Sequence, residues 1–381
     1  ADVSSDPRWA WAEVDLDAIR HNIGVIREIV APSAVWAVVK ADGYGHGSVE
    51  VARAAMDAGA EGLCVAFVSE GITLRRAGID APILLLSEQP PETAARVVKN
   101  RLTPTVYTRD YLSALAAEGA AGLPVHMKVD TGMQRVGVHP HAAPALAAAI
   151  ASRAPDVRLA GVYTHLAVAD EARDFSMDFT RRQLAEFDEV LDQIDGPVTT
   201  HAANSAGAFA HPDARRDLVR IGIAMYGISP GHDLDDVAQD LRPAMELRAR
   251  ISFVKQVRAG SRISYGLKHQ FAQDTTVATV PLGYADGVPR RLSSTGGEVL
   301  VGGHHCPIVG VVTMDQLMVD CGDMDVRVGD DVVLIGEQDG PDGTLRIRAE
   351  DWADRLGTIG YEIVCGISNR VPRVPRRSID G

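Results

Sequence analysis

The sequence predicts an α/β protein: a (β/α)8 barrel of the TIM type followed by a mostly antiparallel β domain. Three observations carry that reading. Short, nearly all-apolar runs alternate with segments of helical periodicity through the first 240 residues, the order expected of a parallel sheet with helices outside it. Eight such runs fall between residues 35 and 221, which fits a closed barrel. From about Pro243 the texture changes to short β-rich runs split by glycine-containing turns, the pattern of antiparallel strands. The division expected is a segment 1–10, a barrel 11–240 and a β domain 241–381. An open doubly wound sheet is the alternative for the first part, and the lack of a G-x-G-x-x-G turn after its first strand counts against it.

The elements follow in order. Trp9 to Val14 reads as a strand, and Asp15 can cap a helix from Leu16 to Val30 whose Ile19, Ile23 and Ile26 share a face. Val35 to Val39 is a β-branched run closed by Lys40, and Ser48 can cap a helix to Ala58. Strands are then expected at Gly62–Val68, Pro82–Leu86, Thr103–Tyr107, Val125–Val129, Leu159–Tyr163, Val198–His201 and Leu218–Ile221. Helices are expected between them, over 70–77, 91–99, 109–118, 141–152 and 179–194. In the second part the strand candidates are 246–257, 275–280, 298–301, 306–312, 316–319 and 331–334, with one helix over 348–355.

Composition narrows the function. The net charge of −13 speaks against nucleic acid, which needs a basic surface; the basic stretch from Arg370 to Arg377 reads as an ordinary strand end and solvated terminus. Cys64, Cys306, Cys321 and Cys365 are far apart and form no C-x-x-C pair, so neither zinc nor a redox motif is expected. Cys64 sits in an apolar run and reads as a small core residue. The first residues lack the regions of a signal peptide, and no apolar run is long enough to span a membrane. A cytoplasmic protein is the expectation, with no metal.

In a barrel of this kind the reactive groups lie at the C-terminal ends of strands. The unusual polar residues fall there: Lys40, Lys128 with Asp130 and Arg135 after it, His165, Asn204 and Ser205, and Arg220 followed by Gly222 and Ile223. Singly, each reads as a satisfied core polar group or, for Lys40, a head snorkelling at a strand end. Their recurrence at one end of successive strands points to a site. A partly buried lysine has a lowered pKa, and a neutral amine can form a Schiff base with an aldehyde.

The run Lys40-Ala-Asp-Gly-Tyr-Gly-His-Gly47 resembles the cofactor-lysine signature of the alanine racemase family, which holds pyridoxal 5′-phosphate (PLP) on a (β/α)8 barrel. Further matches run in order: His126 to Gly137, Thr164 to Asp170, His201 to Ser205, Val219 to Gly227, Ile263-Ser-Tyr-Gly266, Leu282 to Gly287, Val312 to Gln316, and Thr358 to Glu362. The lysine segment together with Ser-Tyr-Gly is highly specific. Gln134 and Gly360 depart from the family's usual residues.

The resemblance implies a racemase that interconverts L- and D-alanine, with Lys40 and Tyr265 as bases on opposite faces of the substrate carbon. It implies that Tyr44, Ser205, Tyr361 and the backbone N–H groups of Gly222 and Ile223 bind the cofactor phosphate. His165 would hydrogen-bond the tyrosine and Arg220, and Arg220 would face the pyridine nitrogen; pairing with Asp217 is the commoner fate of such an arginine. Asn204 belongs to the same cofactor set. Arg135 and the backbone N–H of Met314 would hold the substrate carboxylate, and the lysine matching Lys128 is often a carbamate. The family is a two-fold homodimer in which tyrosine and lysine of one site come from different subunits. A racemase of broader specificity, a decarboxylase of basic amino acids, and a non-catalytic PLP-binding barrel are the alternatives. Arg220 speaks against the decarboxylase, and the second domain with Tyr265 against the binding protein. D-alanine could feed cell-wall peptidoglycan or a catabolic route.

Overall fold

The computed structural model describes residues 8–119 and 121–376. It divides into two compact units, one from Asp17 to Arg242, the other comprising the chain up to Leu16 and from Pro243 onward. The expected division places the opening strand differently. This strand, β1 (Ala10–Val14), pairs antiparallel with a strand beginning at Met245 and parallel with one at Arg373–Pro375. Ala10, Ala12 and Val14 are buried in that sheet. Periodicity finds such a strand but cannot name its partner, because pairing is non-local.

In the larger unit eight parallel strands follow one another: β2 (Ala34–Val38), β3 (Gly62–Val65), β4 (Ile83–Leu85), β5 (Thr105–Val106), β6 (Leu123–Lys128), β7 (Val157–Tyr163), β8 (Thr199–His201) and β9 (Leu218–Ile221). Ladders join β9 to β2, β2 to β3 and β3 to β4, and β5 through β8 in order. Two seams close the ring. Leu84 bridges Thr103, and the N–H groups of Arg220 and Asp217 donate to the carbonyls of Ala203 (3.0 Å) and Thr200 (3.2 Å). The ring has no open edge, which removes the doubly wound alternative. Strands β3 and β9 are buried at every residue, which is why they read as unbroken runs. The fourth strand is shorter than expected because Thr103 exchanges its backbone bonds with Ile83 and Leu85 at the seam.

The helices keep their expected order. The first spans Leu16–Val30 and buries Ile19, Ile23 and Ile26. The helix Ser48–Asp57 is capped from farther away than the sequence implies: Asp42 Oδ1 accepts from the Ser48 N–H at 2.9 Å. Cys64 is fully buried.

The second unit is built on one sheet. Its strands are β10 (Met245–Arg250), β11 (Phe253–Val257), β12 (Arg262–Ile263), β13 (His269–Gln270), β14 (Thr275–Val280), β15 (Glu298–Val301), β16 (His304–Val309), β17 (Leu317–Asp320), β18 (Asp331–Gly340), β19 (Gly343–Ile347) and β20 (Arg373–Pro375). The order across the sheet is β11-β14-β17-β16-β15-β18-β10-β1-β20, with β19 on β18. Every pairing but β1 with β20 is antiparallel. Strand β19 escapes a sequence reading because only Ile347 of it is buried. The helix Gly360–Gly366 escapes it because it begins at glycine and carries β-branched residues. The hairpin β12–β13 stands apart from the sheet in its pairing, but Ile263 and Phe271 pack with Val277 and Val309. The chain beyond Arg376 lies outside the described residues.

Because β1 belongs to the β unit, Ala12→Asp should strip hydrogen-exchange protection from β10 and β20. An unpaired carboxylate buried between them costs several kcal/mol, and the barrel strands should stay protected. Equal loss in β2 and β3 would contradict the assignment.

Candidate active site

Lys40 leaves β2 at its C-terminal end, half-buried. The next four residues take left-handed backbone: Ala41 (φ 52°), Asp42 (φ 51°), Gly43 (φ 63°) and Tyr44 (φ 51°). This conformation costs about 1–2 kcal/mol for each non-glycine residue, and successive residues of this kind are rare. The turn is held by the Gly43 N–H to the Val39 carbonyl (2.9 Å) and the Gly47 N–H to the Asp42 carbonyl (2.8 Å). His46 Nδ1 lies 2.9 Å from the Tyr44 carbonyl. Strain of this kind persists where the surroundings over-determine it, and it concentrates at functional sites.

The same turn delivers Tyr44 beside β9. A Cβ placed on Gly222 would stand 2.6 Å from Tyr44 Oη, so a larger residue there would push that hydroxyl aside. The Gly222 N–H donates to Ser205 Oγ at 3.0 Å. Ser205 opens the helix Ser205–Ala210, and Ile223 opens a 3-10 turn to Tyr226. Hydroxyls and N–H groups thus gather in one cradle. Asn204 serves it by capping the helix, its Oδ1 accepting from the Gly207 N–H at 2.9 Å.

Arg220 is 3% exposed on β9. It does not pair with Asp217, whose Oδ2 accepts from the N–H and hydroxyl of Thr200 at 2.6 and 2.7 Å. The guanidinium donates instead to His201 Nδ1 (2.7 Å), to the carbonyls of Thr164 (2.9 Å) and Ala202 (3.0 Å), and to His165 Nδ1 (3.3 Å). It lies over the Tyr163 ring, 5.0 Å from its centroid. All of these acceptors are neutral. Because Arg220 has only donors, His201 must accept at Nδ1 and carry its proton on Nε2. That proton points to His126 Nδ1, 2.9 Å away. Burial and the charge of Arg220 hold His201 well below the usual histidine range and His126 at about 4.

Lys128 ends β6, 3% exposed. Burial, then the charges of Arg220, Arg135 and Lys40, pull its pKa to about 8, against the opposing pull of Asp130. Asp130 spends Oδ1 on the N–H groups of Gly132 and Gln134, shaping the loop that carries Arg135; Gln134 itself sits at φ 55°. His165 is held well below the usual range by burial and by Arg220, Lys128, Arg135 and Lys40 together. Four cations therefore act on one small region at the top of the barrel. Among the described residues no cluster there has the make-up of a metal site.

The β unit holds the remaining expected residues. Tyr265 is 74% exposed at the tip of the β12–β13 hairpin. Arg262 ties that tip by donating to the Leu267 carbonyl at 2.8 Å, and Ser264, at φ 66°, bonds the Val311 carbonyl at 3.1 Å. Met314 is half exposed, its carbonyl accepting from the Ala285 N–H at 3.1 Å. Tyr361 is half-buried at the start of the helix that Gly360 opens.

Three residues of the barrel cluster are absent from the sequence-based set: His126, His201 and Tyr163. A signal for the first exists. His126 lies two residues before Lys128 on one strand and so shares its face. Gly161 makes room for that imidazole, since a Cβ there would lie 2.7 Å from the ring. Tyr163 reads as an ordinary core aromatic; its role appears only when the stacked His201 ring, 4.5 Å away, and the two cations near it are placed.

The chain matches two family models, "alanine racemase, N-terminal domain" over residues 14–230 and "alanine racemase, C-terminal domain" over residues 244–375. An alanine racemase of Symbiobacterium thermophilum is 46% identical over 374 residues, covering 96% of this chain and 97% of the relative. One of Thermobifida fusca is 44% identical, covering 96% and 98%. Among solved structures, the alanine racemase of Bacillus anthracis with bound L-Ala-P superposes with a TM-score of 0.90 at 39% identity, covering 98% of this chain and 96% of that one. The enzyme of Streptomyces lavendulae gives 0.90 at 38%, covering 99% of both. Lysine turn, buried arginine and full-length similarity agree, and the chain belongs to the alanine racemase family.

Proposed function

We propose that this protein is a PLP-dependent alanine racemase that interconverts L- and D-alanine by a two-base mechanism and works as a homodimer with shared active sites. One observation carries the reading: Lys40, Lys128, Arg135 and Arg220 act on one region at the strand ends, around a cradle of hydroxyl and N–H donors. That donor set fits PLP. A phosphate suits the space beside Tyr44 Oη, Ser205 and the N–H groups of Gly222 and Ile223; Tyr361 is assigned to the same phosphate only through its match to the family. When bound, PLP supplies the electron sink that makes the substrate Cα–H acidic.

The chain's own residues do the rest. Lys40 would hold the cofactor aldehyde, and its amine would remove or return a proton on one face of the substrate Cα. Tyr265 would do so on the other. A tyrosine has an ordinary pKa of about 10, so it needs a hydrogen-bonding partner; His165, kept neutral by its surroundings, is assigned that part. Arg220 would be the residue at the ring nitrogen. A guanidinium does not readily surrender a proton, so it would leave that nitrogen neutral and limit protonation away from Cα. Arg135 and the Met314 N–H take the substrate carboxylate. Lys128, with its pKa of about 8, has a free-amine fraction that can add carbon dioxide, and a carbamate there would give Arg135 an anionic partner. We place the enzyme in the cytoplasm, where cysteines outside disulfides are ordinary.

Three outcomes test this. Borohydride treatment of the holoenzyme should fix PLP on Lys40, and Lys40→Ala should abolish racemisation; an adduct mapped to another lysine would remove Lys40 from the role. Arg220→Glu should raise pyruvate formation relative to D-alanine formation, because a carboxylate keeps the ring nitrogen protonated. An unchanged ratio in a folded, PLP-bound variant speaks against the arginine's role. Lys40→Ala and Tyr265→Ala homodimers should each be nearly inactive, and random reassociation of equal amounts should recover about a quarter of the original activity, as two-fold symmetry with shared sites requires. Verified mixed dimers without activity would place both bases in one chain.

A further inference from the structure

The left-handed turn after Lys40 is tied to a neighbouring βα loop by a single carboxylate. Glu70 lies in the first turn of the helix Val68–Arg76, which follows β3. Its Oε2 accepts from the backbone N–H groups of Ala66 (2.7 Å) and Phe67 (3.1 Å). Its Oε1 accepts from the N–H of Ala41 at 2.7 Å, the residue that follows Lys40. The Ala66–Val68 segment is itself pinned by buried Gln89, which donates to the Ala66 carbonyl at 3.0 Å and accepts from the Val68 N–H at 3.3 Å. Three successive βα loops are thereby linked, through Gln89 and Glu70, to the peptide that Lys40 shares with Ala41.

We infer that Glu70 is the positioning residue for Lys40, holding the strained turn so that the amine stays aimed into the top of the barrel. A helix-capping role explains the bonds to Ala66 and Phe67. It does not explain Oε1, which reaches out of the helix to a backbone that ordinary residues avoid: Ala41 is at φ 52° with Asp42 and Tyr44 following at φ 51°. The bonds within the turn, such as Gly43 N–H to Val39 and Gly47 N–H to Asp42, close it on itself. The bond from Glu70 fixes it against β3. A charged acceptor makes that bond strong, and a short, strong bond at the peptide next to Lys40 restricts the lysine's Cα more than any contact to the end of its side chain would. The inference rests on the reading of Lys40 as the cofactor lysine.

Glutamine at this position can offer an acceptor oxygen on one side only; its amide would meet N–H donors on the other. Loss of a hydrogen bond to a charged group corresponds to about tenfold to a hundredfold in an equilibrium. In the full-length holoenzyme, Glu70→Gln should therefore raise hydrogen exchange of residues 41–47 by about tenfold or more, with β2 and β3 unchanged. After cofactor removal, PLP capture at Lys40, trapped with borohydride, should slow by a similar factor. The kcat should fall while KM for alanine moves less than about twofold, because the Arg135 loop is untouched. Thr73→Gly, on the exposed face of the same helix, is the control: it weakens the helix and should change neither capture nor exchange in the turn. If Glu70→Gln does not fold, Glu70→Asp, too short to span both loops, replaces it. Unchanged exchange and capture would overturn the inference, and so would an equal effect from Thr73→Gly. Failure of the unsubstituted protein to capture PLP would overturn the cofactor reading instead, with exchange alone then deciding the part of Glu70.

Discussion

A buried guanidinium that has no carboxylate partner among the described residues is the constraint around which the barrel site is arranged. The effective cost of burying one charge is several kcal/mol. Hydrogen bonds to a charged group return about 1.5–3 kcal/mol each, so the two carbonyls and two imidazoles around Arg220 are of the right size to offset it. A carboxylate partner would also offset it, but would cancel the charge. The arrangement found keeps a full positive charge inside the barrel; burial first, and that charge after it, keep His165, His201 and His126 neutral and make Lys128 a weaker base. One residue thus reinforces, at four others, what burial already favours.

Much of this was legible in the chain, and the reasons are local. A run such as Val35–Val39 is apolar because both faces of a barrel strand are covered, so the eight strands announce themselves. Lys40 and Arg220 stand out because a charge in such a run needs an explanation. What could not be read was non-local. Strand β1 looks like any other strand, yet it pairs with residues some 235 positions later. The short strand β5 lost length to a seam whose partner lies on β4. Arg220 could have paired with nearby Asp217, and only the placement of Thr200 shows why that carboxylate is engaged elsewhere.

The glycine-rich loop illustrates a subtler limit. Its glycines suggest that the backbone turns wherever glycine permits. The structure places left-handed backbone on Ala41, Asp42 and Tyr44 as well. Sequence composition predicts where a turn is cheap; it does not predict a turn made where it is costly. Such a turn needs bonds from outside itself, and those bonds identify residues, Glu70 among them, whose type alone signals only a helix start.

Tyr265 meets the same need for rigidity by different means. A proton-transferring group works when it is held within hydrogen-bond reach of the reacting atom, and small misplacements are costly. Within its own unit Tyr265 is largely exposed, so packing of its ring does not fix it. Its backbone is fixed instead. Ile263 is buried against the sheet, Ser264 is held at positive φ through the Val311 carbonyl, and Arg262 clamps Leu267. The hairpin tip is a stiff mount that leaves the ring free to be surrounded by other groups. Lys40 and Tyr265 are therefore presented alike, each beside backbone at positive φ that is pinned by side chains of other residues. On the proposed two-base mechanism, precision is built into those segments as much as into the lysine and the tyrosine themselves.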